Sequence, residues 1–399
     1  MDENLDLCAE QRSEHLMSDH PQNVPTVDQK DDSIFGCDPF GPVTEDQMER
    51  MKKRFQEAKD LRMAAAEEAS AYSLEMYDNA EVVQRLTSVE RQKDMEHLRS
   101  ILRKMQITKS RRELTPQPRN YDDLMNRLSK RYPHFGDVIE LLRARMRMNA
   151  LKKHPTVDFG GNLLLLGAPG CGKSSFLCDL GEALGTKFSV VSCAAASTSA
   201  ELTGLSSCWG NGHPGIVHEL LVQQGCANPI FLLDEVEKSQ SEGQQPFMHA
   251  LYGLLEKSFA RNFKDEFVNV TINASKINWF ASANDVNSLD PPIRDRFEVI
   301  HVNVPSRSDL ELIVPQIYKR QVDDHGLQHI YAPSLSDDIL SLLLKMKISS
   351  IRRIKVLIER ALANAAIRAN QDGDLVHLVC EDFPDMRSEQ ESLPRIGFI

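Results

Sequence analysis

Runs of consecutive apolar residues alternate with stretches of helical periodicity in the central part of the chain. Such runs, which lack the polar positions of a half-exposed strand, are typical of strands covered on both faces of a parallel sheet. Helical segments separate the first four runs. The pattern predicts an α/β domain with a doubly wound parallel sheet and helices on both faces. The predicted strands are 163–166, 188–193, 229–233, 277–283 and 297–304.

After Pro305 the apolar runs stop and only helical periodicity continues. The change of period predicts a small all-helical domain over 306–385, followed by a tail over 386–399. The α/β domain is expected to span 120–305. The helices predicted for the second domain are 308–323, 335–346 and 349–369.

The part of the chain before the α/β domain has a different character. Residues 1–43 are acidic, poor in aromatic residues and dotted with prolines, which predicts disorder. Helical periodicity follows over 44–107, either as a coiled coil or as helices that pack on each other or on the main domain. The basic, proline-bearing stretch 108–119 is predicted to be a linker. Asn120 is expected to cap the short helix that follows it.

Composition and charge narrow the class of protein. The chain has 399 residues, of which 41% are hydrophobic and 26% charged, as is ordinary for a soluble globular protein. Its net charge is −11, but residues 1–45 hold eleven acidic and two basic side chains, so the rest is close to neutral. This argues against nucleic acid as a partner, and the basic segment 109–112 is expected to be a solvated connector. The sequence has eight scattered cysteines, no signal peptide and no apolar membrane span, which favours a reduced, cytoplasmic protein without membrane contact.

A glycine-rich loop follows the first predicted strand and precedes a helix. It fits the phosphate-loop pattern G-x-x-x-x-G-K-[ST], whose backbone N–H groups bind phosphate oxygens. Lys173 would contact the β- and γ-phosphates of a nucleotide, and the Ser174 hydroxyl would bind Mg²⁺. The residues expected to bind the nucleotide here are Gly167, Ala168, Pro169, Gly170, Cys171, Gly172, Lys173, Ser174 and Ser175.

Two carboxylates end the third predicted strand. Asp234 and Glu235 follow Ile230-Phe-Leu-Leu, at the edge of a parallel sheet where active sites lie. Asp234 is expected to hold Mg²⁺ together with Ser174, directly or through water. Glu235 is expected to orient and activate the water that attacks the γ-phosphate.

These motifs and several others resemble the ATPase module of the AAA+ superfamily, and most of all its Lon branch. The resemblance runs from about residue 134 to residue 360 and implies ATP and Mg²⁺ as cofactors. It also implies an α/β P-loop domain followed by a helical lid. The stretches that carry it are 228–238, 263–270, 275–284 and 295–300.

The resemblance assigns three further catalytic residues. Asn284 matches sensor 1, whose side-chain amide would hydrogen-bond the attacking water or the γ-phosphate. Arg296 matches the arginine finger that enters a neighbouring subunit's nucleotide site, and Arg294 is the alternative for this role. Arg352 matches sensor 2, at the start of a lid helix.

The resemblance to Lon is weaker at the adenine-packing box and at the pore loop. His134 and Phe135 resemble the short box with which Lon packs adenine, but Asp137 stands where a hydrophobic residue is usual. Trp209 falls at the substrate-gripping aromatic of the Lon pore loop, and its contact with a polypeptide would be mostly apolar. Gly210 follows it where Lon has an aliphatic residue, and the alternative for Trp209 is buried packing.

The resemblance implies an ATP hydrolase that assembles into a ring, expected to be a hexamer, and remodels or unfolds protein substrates as a chaperone does. Lon has a serine–lysine peptidase domain directly after the lid, whereas about thirty residues follow the last predicted helix here. We therefore expect no peptidase activity, and a separate protease or another unidentified partner stays open. The alternatives are a nucleic-acid-associated AAA+ ATPase and a nucleotide-dependent switch that binds partners.

Overall fold

A computed structural model gives the fold of the protein. The chain divides into two compact units, Met1–Ala66 and Glu67–Ile399, and nearly all described residues belong to the second unit. The predictions for segment 1–43, for 44–69 apart from residue 56, and for the tail 386–399 lie outside the described residues. The residues that the structure describes are 56, 70–196, 198–238, 247–346, 350–368 and 375–383.

The elements of the described residues include both strands and helices up to residue 301 and are helical afterwards. The strands are β1 (Ser73–Glu75), β2 (Arg111–Glu113), β3 (Leu163–Leu166), β4 (Phe188–Ser192), β5 (Ile230–Asp234), β6 (Phe263–Lys264), β7 (Thr271–Ile272), β8 (Asn278–Ala283) and β9 (Glu298–His301). The α-helices are α1 (Asn79–Val89), α2 (Glu96–Thr108), α3 (Tyr121–Arg131), α4 (Gly136–Ala150), α5 (Lys173–Leu184), α6 (Ala200–Thr203), α7 (Ile216–His218), α8 (Phe247–Leu254), α9 (Lys257–Ala260), α10 (Pro291–Arg294), α11 (Arg307–Asp324), α12 (Asp337–Lys345) and α13 (Ile351–Ala366). A π-helical turn, Glu219–Gln223, directly follows α7.

Five strands form one parallel sheet in the order β4–β5–β8–β3–β9. Each of them lies within a predicted apolar run or extends one residue beyond it, and the predicted α/β fold with helices on the sheet is confirmed. Because β5, β8 and β3 are neighbours and parallel, their carboxyl ends meet at one edge of the sheet. The predicted phosphate loop, Asp234 and Asn284 all lie at that edge, because each is at or directly after the end of its strand.

The strands are apolar throughout because both faces of the sheet are covered. Leu164 and Leu166 of β3 belong to one core cluster, and Leu163 and Leu165 belong to the other. All four are buried. The alternation that a half-exposed strand would show is therefore replaced by two apolar faces.

Helices α1 and α2 pack on the α/β domain rather than pairing as a coiled coil. Val82 of α1 and Leu98 and Leu102 of α2 are fully buried in the same core cluster as Phe231 and Trp279 of the sheet. The prediction covered 44–107, and in the described part of that region, 70–107, the helices pack on each other and on the main domain.

The stretch predicted as a linker is partly built into the fold. Residues 111–113 form β2, which pairs antiparallel with β1. Arg112 is buried, and its guanidinium donates hydrogen bonds to several carbonyl groups, so this part of the basic segment is not a solvated connector. Asn120 precedes α3 but makes no capping hydrogen bond with its side chain, so that prediction is wrong.

The helices after Pro305 form a core of their own. Helices α11, α12 and α13 share a cluster of buried aliphatic residues with Tyr318 and Phe383. Helix α11 begins with a capping box in which Ser306 and Asp309 exchange hydrogen bonds. Within the residues that the structure describes, no helix is long and apolar enough to span a bilayer.

One buried carboxylate fixes the loop that follows Trp209 to the loop after β6. Asp265 is fully buried and accepts N–H groups from Gly215 at 2.8 Å, Phe267 at 3.0 Å and Val268 at 2.9 Å. These three N–H groups have no access to water, so the carboxylate is the hydrogen-bond acceptor that water would otherwise be.

We predict that Asp265→Ala destabilises the fold more than removal of an exposed carboxylate does. Three buried donors would lose their acceptor, and we expect the free energy of unfolding to fall by about 3 kcal/mol, since one buried unsatisfied group costs about 1–3 kcal/mol. Urea unfolding followed by circular dichroism measures this. Asp78→Ala is the matched control, because exposed Asp78 accepts one N–H at the start of α1 and should contribute about 1 kcal/mol. Equal losses in the two variants would contradict the prediction.

Candidate nucleotide-binding site

The phosphate loop lies between β3 and α5, as its sequence predicts. Gly170 and Gly172 have φ angles of +75° and +98°, in the left-handed region that favours glycine. Lys173 is the first residue of α5 and is buried. Its Nζ donates hydrogen bonds to the Gly167 carbonyl at 2.6 Å and to Asn284 Oδ1 at 3.0 Å. Burial lowers the pKa of Lys173.

Oxygen ligands suitable for Mg²⁺ meet beside Lys173. Ser174 Oγ donates to the Asp234 carboxylate, with distances of 3.1 and 3.2 Å to its two oxygens. Ser282 of β8 also donates to Asp234. A hydroxyl and a carboxylate are the protein ligands that Mg²⁺ uses when phosphate oxygens and water complete its shell. Ser174 and Asp234 therefore fit the predicted metal site, while Ser282, which the sequence did not suggest, orients the carboxylate.

Glu235 has an unusual backbone and an ionic partner. Its φ is +55°, a left-handed value for a residue that is not glycine. Its N–H donates to Ser282 Oγ at 3.0 Å, and its carboxylate lies 2.8 Å from Lys238 Nζ. Such strained backbones concentrate at functional sites.

Glu237 holds Asn284, a contact that sequence reasoning missed. The backbone N–H and the Nδ2 group of Asn284 both donate to Glu237 Oε1, at 3.0 and 2.8 Å. Asn284 Oδ1 accepts from Lys173, so the three side chains form a continuous chain of hydrogen bonds. The sequence signal was the position of Glu237 two residues after Glu235, but its partner lies 47 residues away.

Two neighbouring cavities surround these groups. One of about 280 Å³ is lined by the phosphate loop, Asp234, Glu235, Asn284 and Arg352. The other, of about 450 Å³, lies between the α/β domain and the lid helices. Gly172 and Lys355 line both cavities, so a ligand bound at the loop could extend toward the lid. The apolar residues that line the larger cavity include Tyr132, Ile313, Ile317 and Ile351.

His134 and Phe135 support the loop from behind and are not among the residues that line either cavity. His134 Nε2 donates to the Cys171 carbonyl at 2.8 Å, and burial lowers the pKa of its ring. Phe135 stacks on Phe176 with ring centroids 4.6 Å apart. Their assignment to adenine binding stays a prediction.

A buried carboxylate joins the loop helix to the lid. Asp179 of α5 lies 3.1 Å from Arg131 of α3 and 3.6 Å from Arg320 of α11. Tyr132 also donates to Asp179, and burial, together with this hydrogen bond, raises the pKa of the Tyr132 phenol. No pattern in the sequence indicates this contact, because its members come from three distant elements.

Comparisons with known proteins agree with this geometry. Residues 162–297 match the model of an AAA domain described as the dynein-related subfamily. The chain is 27% identical over 265 residues to the peroxisomal Lon protease homolog 2 of Spinacia oleracea, covering 65% of this chain and 29% of that protein. It is 28% identical over 192 residues to Lon protease 1 of Bacillus subtilis, covering 48% of this chain and 24% of that protein.

By these matches, the part of this chain around residues 162–297 is an AAA+ domain, and its sequence is similar to that of Lon proteases. The chain spans about a third or less of the length of the Lon relatives that it matches. A solved structure of a point mutant of Thermotoga maritima RuvB is 14% identical, with a TM-score of 0.43 over 64% of this chain and 70% of that chain.

The remaining predicted residues of the AAA+ module lie outside both cavities. Arg296 donates from Nη1 to the Pro292 carbonyl at 2.7 Å and lies over the ring of Tyr252, 5.4 Å from its centroid. It lines neither cavity of its own chain. Trp209 is 65% exposed, so buried packing does not explain it.

We predict that Glu237 positions Asn284 through its hydrogen bonds rather than through its charge. Glu237→Ala should lower the rate of ATP turnover on the order of tenfold, because Asn284 loses two bonds that orient it. Glu237→Gln keeps an oxygen acceptor and should retain most of the rate. Steady-state kinetics and separate nucleotide-binding measurements test this, with ATP affinity expected to be similar in all three proteins. A Gln variant as slow as the Ala variant would contradict it.

Proposed function

We propose that this module hydrolyses ATP within a ring of identical subunits and uses the energy to remodel or unfold protein substrates. The observation that carries the proposal is the convergence of Lys173, Ser174, Asp234, Glu235 and Asn284 at one edge of the sheet, in a cavity that Arg352 of the lid also lines. These groups are the parts that phosphoryl transfer to water requires.

In the proposed reaction the protein mainly positions groups and neutralises charge. Lys173 would exchange its carbonyl partners for phosphate oxygens, and the loop N–H groups would bind the rest of the triphosphate. Bound Mg²⁺, held by Ser174 and Asp234, would supply further positive charge. Glu235 would leave Lys238 and accept a proton from the attacking water.

The arginine assigned as a finger supports a shared site between subunits. Arg296 lies outside the cavities of its own chain, and its guanidinium is held by one carbonyl and an aromatic ring. In the proposed ring it would stabilise the charge that develops on the phosphoryl group bound by a neighbour. A hexamer and a cytoplasmic location are part of this proposal.

The exposed indole of Trp209 supports work on a polypeptide. Its backbone N–H donates to the Ser206 carbonyl and its own carbonyl accepts from Gly212, so a short hydrogen-bonded turn presents the ring. Through Gly215 the following residues are anchored to Asp265. An aromatic ring presented on an anchored loop can contact many sequences by apolar area.

A nucleotide-dependent switch is the second candidate, and one observation favours it. Glu235 is paired with Lys238 and Asn284 with Glu237, so the groups assigned to the attacking water are already engaged. Turnover would then be slow until a partner rearranges them. Nucleic acid as a partner has less support, since the chain after residue 45 is near neutral and Arg112 is buried.

We predict that two variants separate ATP binding from ATP hydrolysis. Lys173→Ala should lose nucleotide binding, because the group that meets the phosphates is removed. Glu235→Gln should bind ATP as the unmodified protein does and should lower turnover on the order of a hundredfold or more, as expected for loss of a general base. Fluorescent-nucleotide binding and phosphate release measure the two steps. A Glu235→Gln protein with unmodified turnover would exclude Glu235 as the base, and negligible turnover of the unmodified protein at every concentration would favour the switch.

We predict that Trp209→Ala abolishes ATP-driven unfolding of a protein substrate while basal ATP hydrolysis stays within about twofold, since the contact with the polypeptide is apolar area. Trp209→Phe should restore much of the unfolding activity. Ile367→Ala is the control, because Ile367 is a comparably exposed apolar residue at the end of α13. Loss of fluorescence from an unfolding reporter protein measures the activity. Unfolding by Trp209→Ala at the unmodified rate would exclude the threading mechanism.

A further inference from the structure

A third cavity, of about 360 Å³, lies between α2 and the π-helical turn Glu219–Gln223. It shares no lining residue with the two cavities at the phosphate loop. Lys104 and His97 of α2 line it on the exposed side, and His218 lines it from the buried side. None of its lining residues is acidic. A volume of this size accommodates a small organic molecule.

A buried cation lies behind the wall of this cavity. The guanidinium of Arg112 donates to the carbonyl of Val222 at 3.1 Å and to the hydroxyl of Thr108 at 3.2 Å, and both of these residues line the cavity. Its other acceptors are backbone carbonyls and the Tyr77 hydroxyl, at 3.2 Å. In the described part of the chain no carboxylate pairs with Arg112. The carbonyls at the end of α2 offset only part of a unit positive charge.

His218 adds an uncommitted polar group at the inner end. Its ring is fully buried, and neither ring nitrogen has a hydrogen-bond partner among the residues that the structure describes. Burial, and then the charge of Arg112, lowers the pKa of His218 to about 4, so the ring is neutral at pH 7. A neutral imidazole offers one donor and one acceptor, which matches a hydroxyl group. The π-helical turn beside it is a rare conformation that is frequent at functional sites.

We propose that this cavity binds a small organic anion, with a carboxylate or phosphate group near Lys104 and a hydroxyl group toward His218. Lys104 and the field of Arg112 supply positive charge to a cavity with no acidic lining residue, and a buried charge such as that of Arg112 is stabilised by a counter-ion. Ile101, Met105 and Val222 provide the apolar contact for a short carbon chain between the two polar groups. The proposal does not depend on ATP hydrolysis.

The test uses the full chain and three probes built on a six-carbon chain: 6-hydroxyhexanoate, 6-hydroxyhexyl phosphate and 1,6-hexanediol. Calorimetric titration should show saturable binding of at least one anion and none of the diol. Comparison of the carboxylate probe with the phosphate probe shows which anion the site binds more tightly. In protein labelled at histidine, the bound anion should shift the His218 ring signal, assigned with His218→Gln. Failure of both anions to bind saturably, or equal binding of the diol, would overturn the proposal.

The surface variant Lys104→Ala tests whether the anion binds in this cavity even if His218→Gln does not fold. It should weaken binding of the anion about tenfold, as expected for loss of one charge-assisted contact. Arg103→Ala is the matched control, because Arg103 is exposed on the same helix and does not line the cavity. Unchanged affinity in Lys104→Ala, or an equal loss in both variants, would place the anion elsewhere.

Discussion

The buried ammonium group of Lys173 is the constraint on which the nucleotide site depends. A cation removed from water needs acceptors, and Lys173 obtains them from the Gly167 carbonyl and from Asn284 Oδ1. Both acceptors are available because β3 and β8 are parallel neighbours with Leu166 opposite Ala283, which puts the residues after them side by side. The apolar runs form the buried strands, and the order of these strands therefore determines where the charged groups of the site meet.

Much of this was predictable from the sequence, because strands buried on both faces and phosphate loops are local patterns. The apolar runs located all five strands of the parallel sheet, and the motif placed Lys173 and Ser174 at the start of α5. Contacts between distant segments were not predictable in the same way. Asp179 meets Arg320 across 141 positions of the chain, and no periodicity in either segment records that pairing.

The region before the α/β domain shows why charge alone misleads. A run of basic residues with a proline suggests a solvated linker, and for exposed Arg111 the suggestion is reasonable. Arg112, its neighbour, faces the opposite side of β2 and is buried, since successive residues of a strand alternate in direction. Its guanidinium then finds carbonyl acceptors at the end of α2, and the two N-terminal helices become part of the core.

The hydrogen bonds of Asn284 determine which of its side-chain atoms the proposed reaction could use. Lys173 can only donate and the Glu237 carboxylate accepts, so Oδ1 must face Lys173 and Nδ2 must face Glu237. The Lys238–Glu235 pair is about half exposed and contributes little, so Glu235 can exchange that partner readily. Asn284 would keep its hydrogen bonds to Glu237 when Lys173 moves to phosphate, and Oδ1 is the atom that Lys173 would release. Oδ1 would then be free to accept a hydrogen bond from the attacking water, while the second hydrogen of Nδ2 would remain available to a phosphate oxygen.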